Sequence, residues 1–406
     1  MQVFQYWRRI LTKFTNAKLF VRIYAVTFLI VVPFCSIIKL INDFQQENAI
    51  ISENGKRVTE SKAVLSDMKP IFDTHGNFLS SSGFKNDHSC SLAISIITVS
   101  RDRNLTDADK PHYIIQSVAA FLRVIQQSGI DDIRIHFSVC NVDINPESHT
   151  DMRDIPKWIT VYQRNAKPGS KYKSFFEKEK EDYIFCLQKG LEQNTSYMLV
   201  TEDDALPHSE LLTVIKEKIL TKEKCAFKQR NLQNVLYIKL FTNNRDTNFI
   251  RTWYKPTALL EFGIDMRVLY ELILLSLVFT GILLLICKKY TKTRMSTYSK
   301  FLLIIYVICV LTFIERRNIR MVWRYILGIS HEISSAPAGS FVAMLYPRDG
   351  VYNTVSYLSS SECSRVYAKD LVLNDMGRDH WKQVLYIEPS LFTHIGYKRS
   401  RHHTRF

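Results

Sequence analysis

The sequence predicts an α/β protein: a mainly parallel sheet with helices on both faces, interrupted by an inserted transmembrane hairpin and preceded by an N-terminal transmembrane anchor. Three observations carry this reading. Apolar, β-branched runs alternate with segments of helical periodicity, joined by short connections. The apolar residues also gather in three runs bordered by basic residues, which excludes a plain soluble chain. Finally, 406 residues with 46% hydrophobic content, 13 Gly and 11 Pro exclude disordered and collagen-like classes and leave room for one large domain or two average ones.

Residues 1–18 read as a cytosolic tail and 19–41 as a signal anchor. The centre of the anchor, IYAVTFLIVVPFCSII, runs from Ile23 to Ile38 between Arg22 and Lys39. Such a stretch crosses a hydrocarbon layer of roughly 30 Å at 1.5 Å per residue. Arg8, Arg9, Lys13, Lys18 and Arg22 precede it without an acid, whereas Asp43 and Glu47 follow, which places the N-terminus in the cytosol. There is no earlier, shorter apolar core with a small-residue cleavage site, so the segment reads as uncleaved.

Residues 45–267 read as the first part of the folded domain. SLAISIITVS (91–100) is a strand ending in polar residues, and 112–129 is a helix stopped by Gly129. Strands follow at 132–143 and 158–165, then a helix at 175–194. YMLVTEDDALP (197–207) is a strand running into acids and a proline, 208–219 is a helix, and VLYIKLF (235–241) is a strand. In such sheets ligands collect beyond the carboxyl ends of the strands.

An insertion at 268–314 then divides the domain. VLYELILLSLVFTGILLLIC, from Val268 to Cys287, is broken only by Glu271, and FLLIIYVICVLTFI, from Phe301 to Ile314, is short for a full span. The connector 288–300 is basic and acid-free, hence cytosolic. Residues 45–267 and 315–406 therefore share the opposite compartment. Glu271 is expected at the interface or against a helix partner, since a lone charge at mid-bilayer is costly. Downstream, 340–348 is a strand, 365–378 a helix, and 383–401 closes the domain. The sequons at Asn104 and Asn194 both fall on the luminal side, and five cysteines outside the membrane runs allow at most two bridges and a free thiol.

The sharpest chemical feature is Glu202-Asp203-Asp204, directly after an apolar strand. Three adjacent carboxylates repel one another and need water, basic partners or a metal. Their hard oxygens suit Mn²⁺ or Mg²⁺, which commonly take one or two carboxylates plus substrate phosphates. Thr98, Val99, Ser100 and Arg101 end the first strand, where a backbone turn and a guanidinium meet a nucleotide or its phosphates. His394, in EPSLFTHIG, gains a role only if the chain folds back beside the acids. The net charge of +15 fits a phosphate-bearing partner. No P-loop or Rossmann glycine pattern competes for a nucleotide.

The TVSR first strand, the strand ending in EDD, YIKLF and EPSLFTHIG together resemble the GT-A-type Golgi glycosyltransferases, the last two being similar to motifs of branching N-acetylglucosaminyltransferases. The hairpin inside the domain is the more particular mark. It resembles the family that adds N-acetylgalactosamine to the GPI-anchor glycan. The resemblance implies a GT-A-like fold, a Golgi membrane location with a luminal catalytic domain, a UDP-GalNAc donor, and a GPI-anchored protein or GPI glycan as acceptor beside the lipid bilayer, with no nucleic acid as partner.

It further implies that Glu202, Asp203 and Asp204 match the D-x-D-like motif holding Mn²⁺ (or Mg²⁺) and the donor diphosphate, with Asp204 and Glu202 as ligands and His394 completing the site. Thr98 to Arg101 fall at the nucleotide loop. Glu202 departs from a strict D-x-D in its first place. Inversion is expected, which requires a carboxylate base: Asp370 in AKDLVLND comes first, with Glu362 and Asp375 as alternatives. Arg316, Arg317, Arg320 and Arg324 read either as contacts to inositol or ethanolamine phosphates or as interfacial anchors. Two rivals stay open: an N-glycan branching transferase, and a non-catalytic membrane adaptor in which EDD is a solvated turn.

Overall fold

The structure is a computed structural model that describes residues 41, 45, 48–72, 90–101, 110–128, 133–164, 174–219, 234–242, 266–291, 296–314, 316–336, 339–379 and 383–397. The expected anchor, apart from residue 41, and the Asn104 sequon lie outside these. The chain forms two compact units: one comprises residues 49–243 and 331–406, the other residues 1–48 and 244–330. The first unit is therefore discontinuous in sequence, with 244–330 inserted between its two segments.

The discontinuous unit is built on an eight-stranded sheet. In chain order its strands are β1 (Cys90–Thr98), β2 (Ile133–Asn141), β3 (Thr160–Gln163), β4 (Tyr197–Glu202), β6 (Val235–Lys239), β7 (Glu332–Ser335), β8 (Ala343–Pro347) and β9 (Gln383–Glu388), and they lie side by side in the order β3-β2-β1-β4-β8-β6-β9-β7. The pairs β1–β2, β1–β4, β2–β3 and β6–β9 are parallel; β8 runs antiparallel to both β4 and β6, and β7 to β9. A second, two-stranded sheet pairs β5 (Ala205–Pro207) with β10 (Phe392–His394).

The alternation of side chains along the strands separates two cores. Leu92, Ile94 and Ile96 of β1 face one, together with α2 (Tyr113–Gln127) and the residues after β5; Ala93 of β1 and Met198 and Val200 of β4 face the other, together with α3 (Phe175–Glu192), α8 (Arg348–Ser360) and α9 (Lys369–Asp379). Helices thus cover both faces. At β6 the register shifts between Val235 and Tyr237, so Leu236 and Tyr237 both reach the second core. A further helix, α1 (Asn54–Asp67), packs on α2 through Leu65 and a hydrogen bond from Gln116 to Asn54.

Several boundaries differ from expectation. The run 197–207 is not one strand: it turns at Asp203-Asp204, where the backbone leaves the β4 ladder and the carbonyls of Asp203 and Ala205 accept from the Ser117 hydroxyl instead. The expected helix at 208–219 is a single α-turn, α4 (Leu211–Val214), followed by a π-turn at Ile215–Ile219. The helix α8, too polar to stand out in sequence, was not anticipated. Cys90 is disulfide-bonded, whereas Cys140, Cys186 and Cys363 are free and buried.

In the other unit, α5 (Met266–Thr291) contains the described residues' one helical window long and apolar enough to cross a membrane, Leu269–Ile286. The apolar part of α6 (Thr297–Ile314) is shorter. The two helices pack along Leu272, Leu303, Val307 and Leu311, leaving Leu274, Leu277, Val278 and Phe279 exposed. An unanticipated helix, α7 (Arg316–Leu327), follows, and its Arg316 Nη2 lies 2.6 Å and its Arg320 Nη2 3.4 Å from Glu271 Oε2. Glu271 thus has the helix partner that its burial cost demanded, and these arginines are engaged within the unit.

Candidate active site

The acid cluster sits at the carboxyl ends of β1 and β4, where the chain must turn. Ser117 on α2 clamps that turn, its hydroxyl donating to the carbonyls of Asp203 (2.7 Å) and Ala205 (2.9 Å). The β5–β10 pairing sets His394 opposite Ala205, and the Ile395 N–H donates to the Asp204 carbonyl at 2.8 Å. The segment EPSLFTHIG thereby folds back onto EDD. His394 Nε2 lies 3.3 Å from Asp204 Oδ2. Gly396 permits this approach, since a Cβ there would meet Asp204 Oδ2 at 2.2 Å and His394 Nε2 at 2.8 Å.

Arg101 closes the other side. Its Nη2 donates to Asp203 Oδ1 (2.6 Å) and its Nη1 to Asp204 Oδ2 (2.7 Å), while the guanidinium stands 4.9 Å from the Tyr113 ring centroid. Thr98 donates to Asp203 Oδ2 at 2.7 Å and pairs with His149 Nε2 at 3.0 Å, so its buried hydroxyl orients a carboxylate. Ser100 contributes its backbone N–H to Asp143 Oδ2 at 2.9 Å.

These contacts divide the three acids electrostatically. Burial opposes ionisation of Asp204, but Arg101 and His394 outweigh it and hold the carboxyl well below the usual carboxylate range. Burial pushes Asp203 up to about 6 and Glu202 up to about 7, with Arg101 and Lys369 respectively opposing the rise. His394 is raised: burial disfavours its imidazolium, and the hydrogen bond and charge of Asp204 overcome that.

Glu202, Asp204 and His394 each offer a ligand atom, all within 4.8 Å of one another. Asp204 Oδ1 is buried and has no hydrogen-bond partner among the described residues. Two carboxylates and an imidazole, with an orphaned oxygen among them, fit a divalent cation of the Mn²⁺ or Mg²⁺ kind.

A cavity of about 140 Å³ opens beside the cluster, lined among others by Val99, Ser100, Arg101, Asp143, Lys178 and Glu202. Its wall is unusually charged. Lys178 Nζ donates to the Val142 carbonyl (2.8 Å) and to Asp182, and Arg164 bonds Asp182 at 2.5 Å. Lys369, 3% exposed, places its ammonium 3.2 Å from Glu179, 3.8 Å from Glu202 and 3.9 Å from Asp370, over the Tyr183 ring. Sequence reasoning missed Asp143, Lys178, Glu179 and Lys369. Asp143 left a readable signal, an acid just beyond a strand's carboxyl end in CNVD; the lysines, on amphipathic helices, left none.

The remaining sequence candidates separate. Asp370 lies in the first turn of α9, half-exposed, beside Lys369 and outside the cavity lining. Glu362 is exposed on the loop after α8 and does not line the cavity, and Asp375 accepts a bond from the Tyr367 hydroxyl at 2.9 Å.

A charged cleft at the strand ends of a mainly parallel sheet, with paired acids at its rim, suits an enzyme that handles a phosphate-bearing ligand together with a cation. Comparison with protein-family models agrees: the family described as GPI-N-acetylgalactosamine transferase PGAP4 matches residues 92–393, well over half of the chain. The chain belongs to that family. The matched range runs through the inserted residues 244–330 as well as both segments of the discontinuous unit.

Proposed function

We propose that this chain is a divalent-cation-dependent, inverting transferase that moves N-acetylgalactosamine from UDP-GalNAc to a mannose of the GPI-anchor glycan. The observation that carries the cation site is the convergence of Glu202, Asp204 and His394, whose ligand atoms lie within 4.8 Å of one another, together with the buried Asp204 Oδ1 that has no hydrogen-bond partner among the described residues. On this reading the discontinuous unit is GT-A-like. Residues 1–18 are a cytosolic tail, 19–41 an anchor and 268–314 a membrane hairpin with the loop 288–300 cytosolic, so that 45–267 and 315–406 lie on the luminal side of the Golgi membrane.

A cation held by Glu202, Asp204 and His394 would supply Lewis-acid stabilisation to the departing diphosphate. The protein's own groups do the rest. Val99 and Ser100 line the nucleotide side of the cavity, and Arg101 holds Asp203 and Asp204 in place with a positive charge at the diphosphate end. The acceptor hydroxyl oxygen forms its bond to the anomeric carbon as the bond to the β-phosphate oxygen breaks. The hydroxyl proton passes to a carboxylate base, the role assigned to Asp370 in the first turn of α9 beside Lys369. Attack opposite the leaving group inverts the sugar. The hairpin keeps the cleft near an acceptor confined to the bilayer, raising its effective concentration.

The test is transfer from a panel of labelled nucleotide sugars to membrane-embedded GPI by the full chain, with and without EDTA. Transfer confined to UDP-GalNAc, lost in EDTA and restored by Mn²⁺, supports the reading; EDTA-insensitive transfer or a different preferred donor overturns the corresponding part.

A further inference from the structure

We propose that α7 is a membrane-embedded interfacial helix whose apolar stripe faces the lipid acyl chains while its arginine stripe faces inward onto the hairpin. This rests on the hairpin reading above. The sequence of α7, RRNIRMVWRYIL, carries four arginines and no acid, and it sorts into two stripes at helical spacing. Arg316, Arg320 and Arg324 recur every fourth residue on one side; Met321, Val322, Tyr325 and Ile326 lie on the opposite side, with Trp323 between the two stripes.

The orientation of those stripes is inverted relative to a helix on a water-soluble unit. The Arg316 and Arg320 side chains are only 12% and 19% exposed, turned onto Glu271 of α5, and Arg324 is buried. Val322, Trp323, Ile326 and Leu327 are 54%, 60%, 67% and 51% exposed. Water would reward the opposite arrangement, with guanidiniums outside and aliphatic groups inside. An apolar surround with phosphates at its margin rewards this one. Within the same unit α5 exposes Leu277, Val278 and Phe279 in the same way, so both helices bare large apolar groups. Trp323 and the 88% exposed Tyr325 are the side chains that membrane interfaces enrich, with an apolar ring and a polar tip. The occupant of this face is therefore the bilayer itself.

The test is fluorescence quenching of the full chain reconstituted in phosphatidylcholine vesicles, in which the Trp323 signal is the difference between the natural protein and Trp323→Phe. Loss of that emission with acyl-chain-brominated phosphatidylcholine, and its retention with aqueous iodide, is the expected result. Quenching by iodide in place of brominated lipid overturns the proposal, and so does shielding from both, which would mean that protein covers the stripe, either a second copy or the N-terminal segment. Phe279→Trp in the Trp323→Phe background separates the two readings. If its indole escapes brominated lipid, the hairpin itself fails; if it is quenched while Trp323 is not, only the placement of α7 fails.

Discussion

Gly396 approaches Asp204 so closely that a Cβ on it would stand 2.2 Å from the carboxylate oxygen Oδ2. That oxygen also receives Arg101 at 2.7 Å and His394 at 3.3 Å, so three separate elements meet at one atom.

Gly396→Ala should therefore displace the carboxylate or the imidazole without disturbing either core. The expected outcome is a loss of kcat/KM of about tenfold to a hundredfold, about 1.4–2.8 kcal/mol of transition-state stabilisation. The loss should appear together with weaker stabilisation by Mn²⁺, while thermal unfolding of the metal-free protein changes little.

Asp204→Asn keeps the shape and removes the charge between Arg101 and His394. Transfer from UDP-GalNAc should fall on the order of 100- to 1,000-fold, in the range lost when a charge-stabilising group is removed. Membrane levels of the protein should be retained, as read by immunoblotting. Unchanged transfer would remove Asp204 from the site.

Arg101→Gln leaves Asp203 and Asp204, both 3% exposed, without their shared cation. Removal of one partner from a buried ion network costs about 3–5 kcal/mol, measurable as a lowered unfolding midpoint. The double variant Arg101→Gln with Asp203→Asn should recover part of that loss, because the two sites are coupled rather than additive.

Stabilisation by Mn²⁺ should strengthen as pH rises. Asp203 and Glu202 titrate at about 6 and about 7 in the fold, against about 4 in an unfolded chain. Between those values the folded state holds protons that the unfolded state has released, so the stability of the metal-free protein falls as pH rises through this window and then levels off. A bound cation replaces those protons. The Mn²⁺-induced shift in unfolding temperature should therefore grow from pH 5 to pH 7; a shift independent of pH would place the cation elsewhere.

Glu271→Gln deprives Arg316 and Arg320 of their common acid. Two facing guanidiniums with no counter-charge are costly, so, on the proposed membrane placement of this unit, the amount of chain recovered from membranes should drop. Replacing both arginines by glutamine in the same chain should restore it.

Much of the sheet was legible because its strands are buried on both faces and read as unbroken β-branched runs, as in SLAISIIT of β1. The helix α2 declared itself by its apolar spacing. The helix α8, RDGVYNTVSYLSS, did not, because only its Gly350, Val351, Thr354 and Leu358 stripe is buried and two of those four are small or polar. The acids were legible from their place after an apolar strand. Their partners Arg101 and His394 were nominated by resemblance rather than by spacing: Arg101 reaches them from the loop after β1 and His394 through the β5–β10 pairing. The inward-turned face of α7 was illegible for a different reason, since helical periodicity locates an apolar stripe but not the medium it meets.

The strand β6 has only β8 and β9 as neighbours in the sheet, and both are encoded after the inserted helices. A nascent chain halted at residue 243 would display an unpaired ribbon and an acid cluster without its imidazole. Completion of the fold is thus deferred until the last few dozen codons have been translated. Premature stop products are expected to be inert and to enter quality control, and the chain acquires its competence only after the intervening helices have been translated.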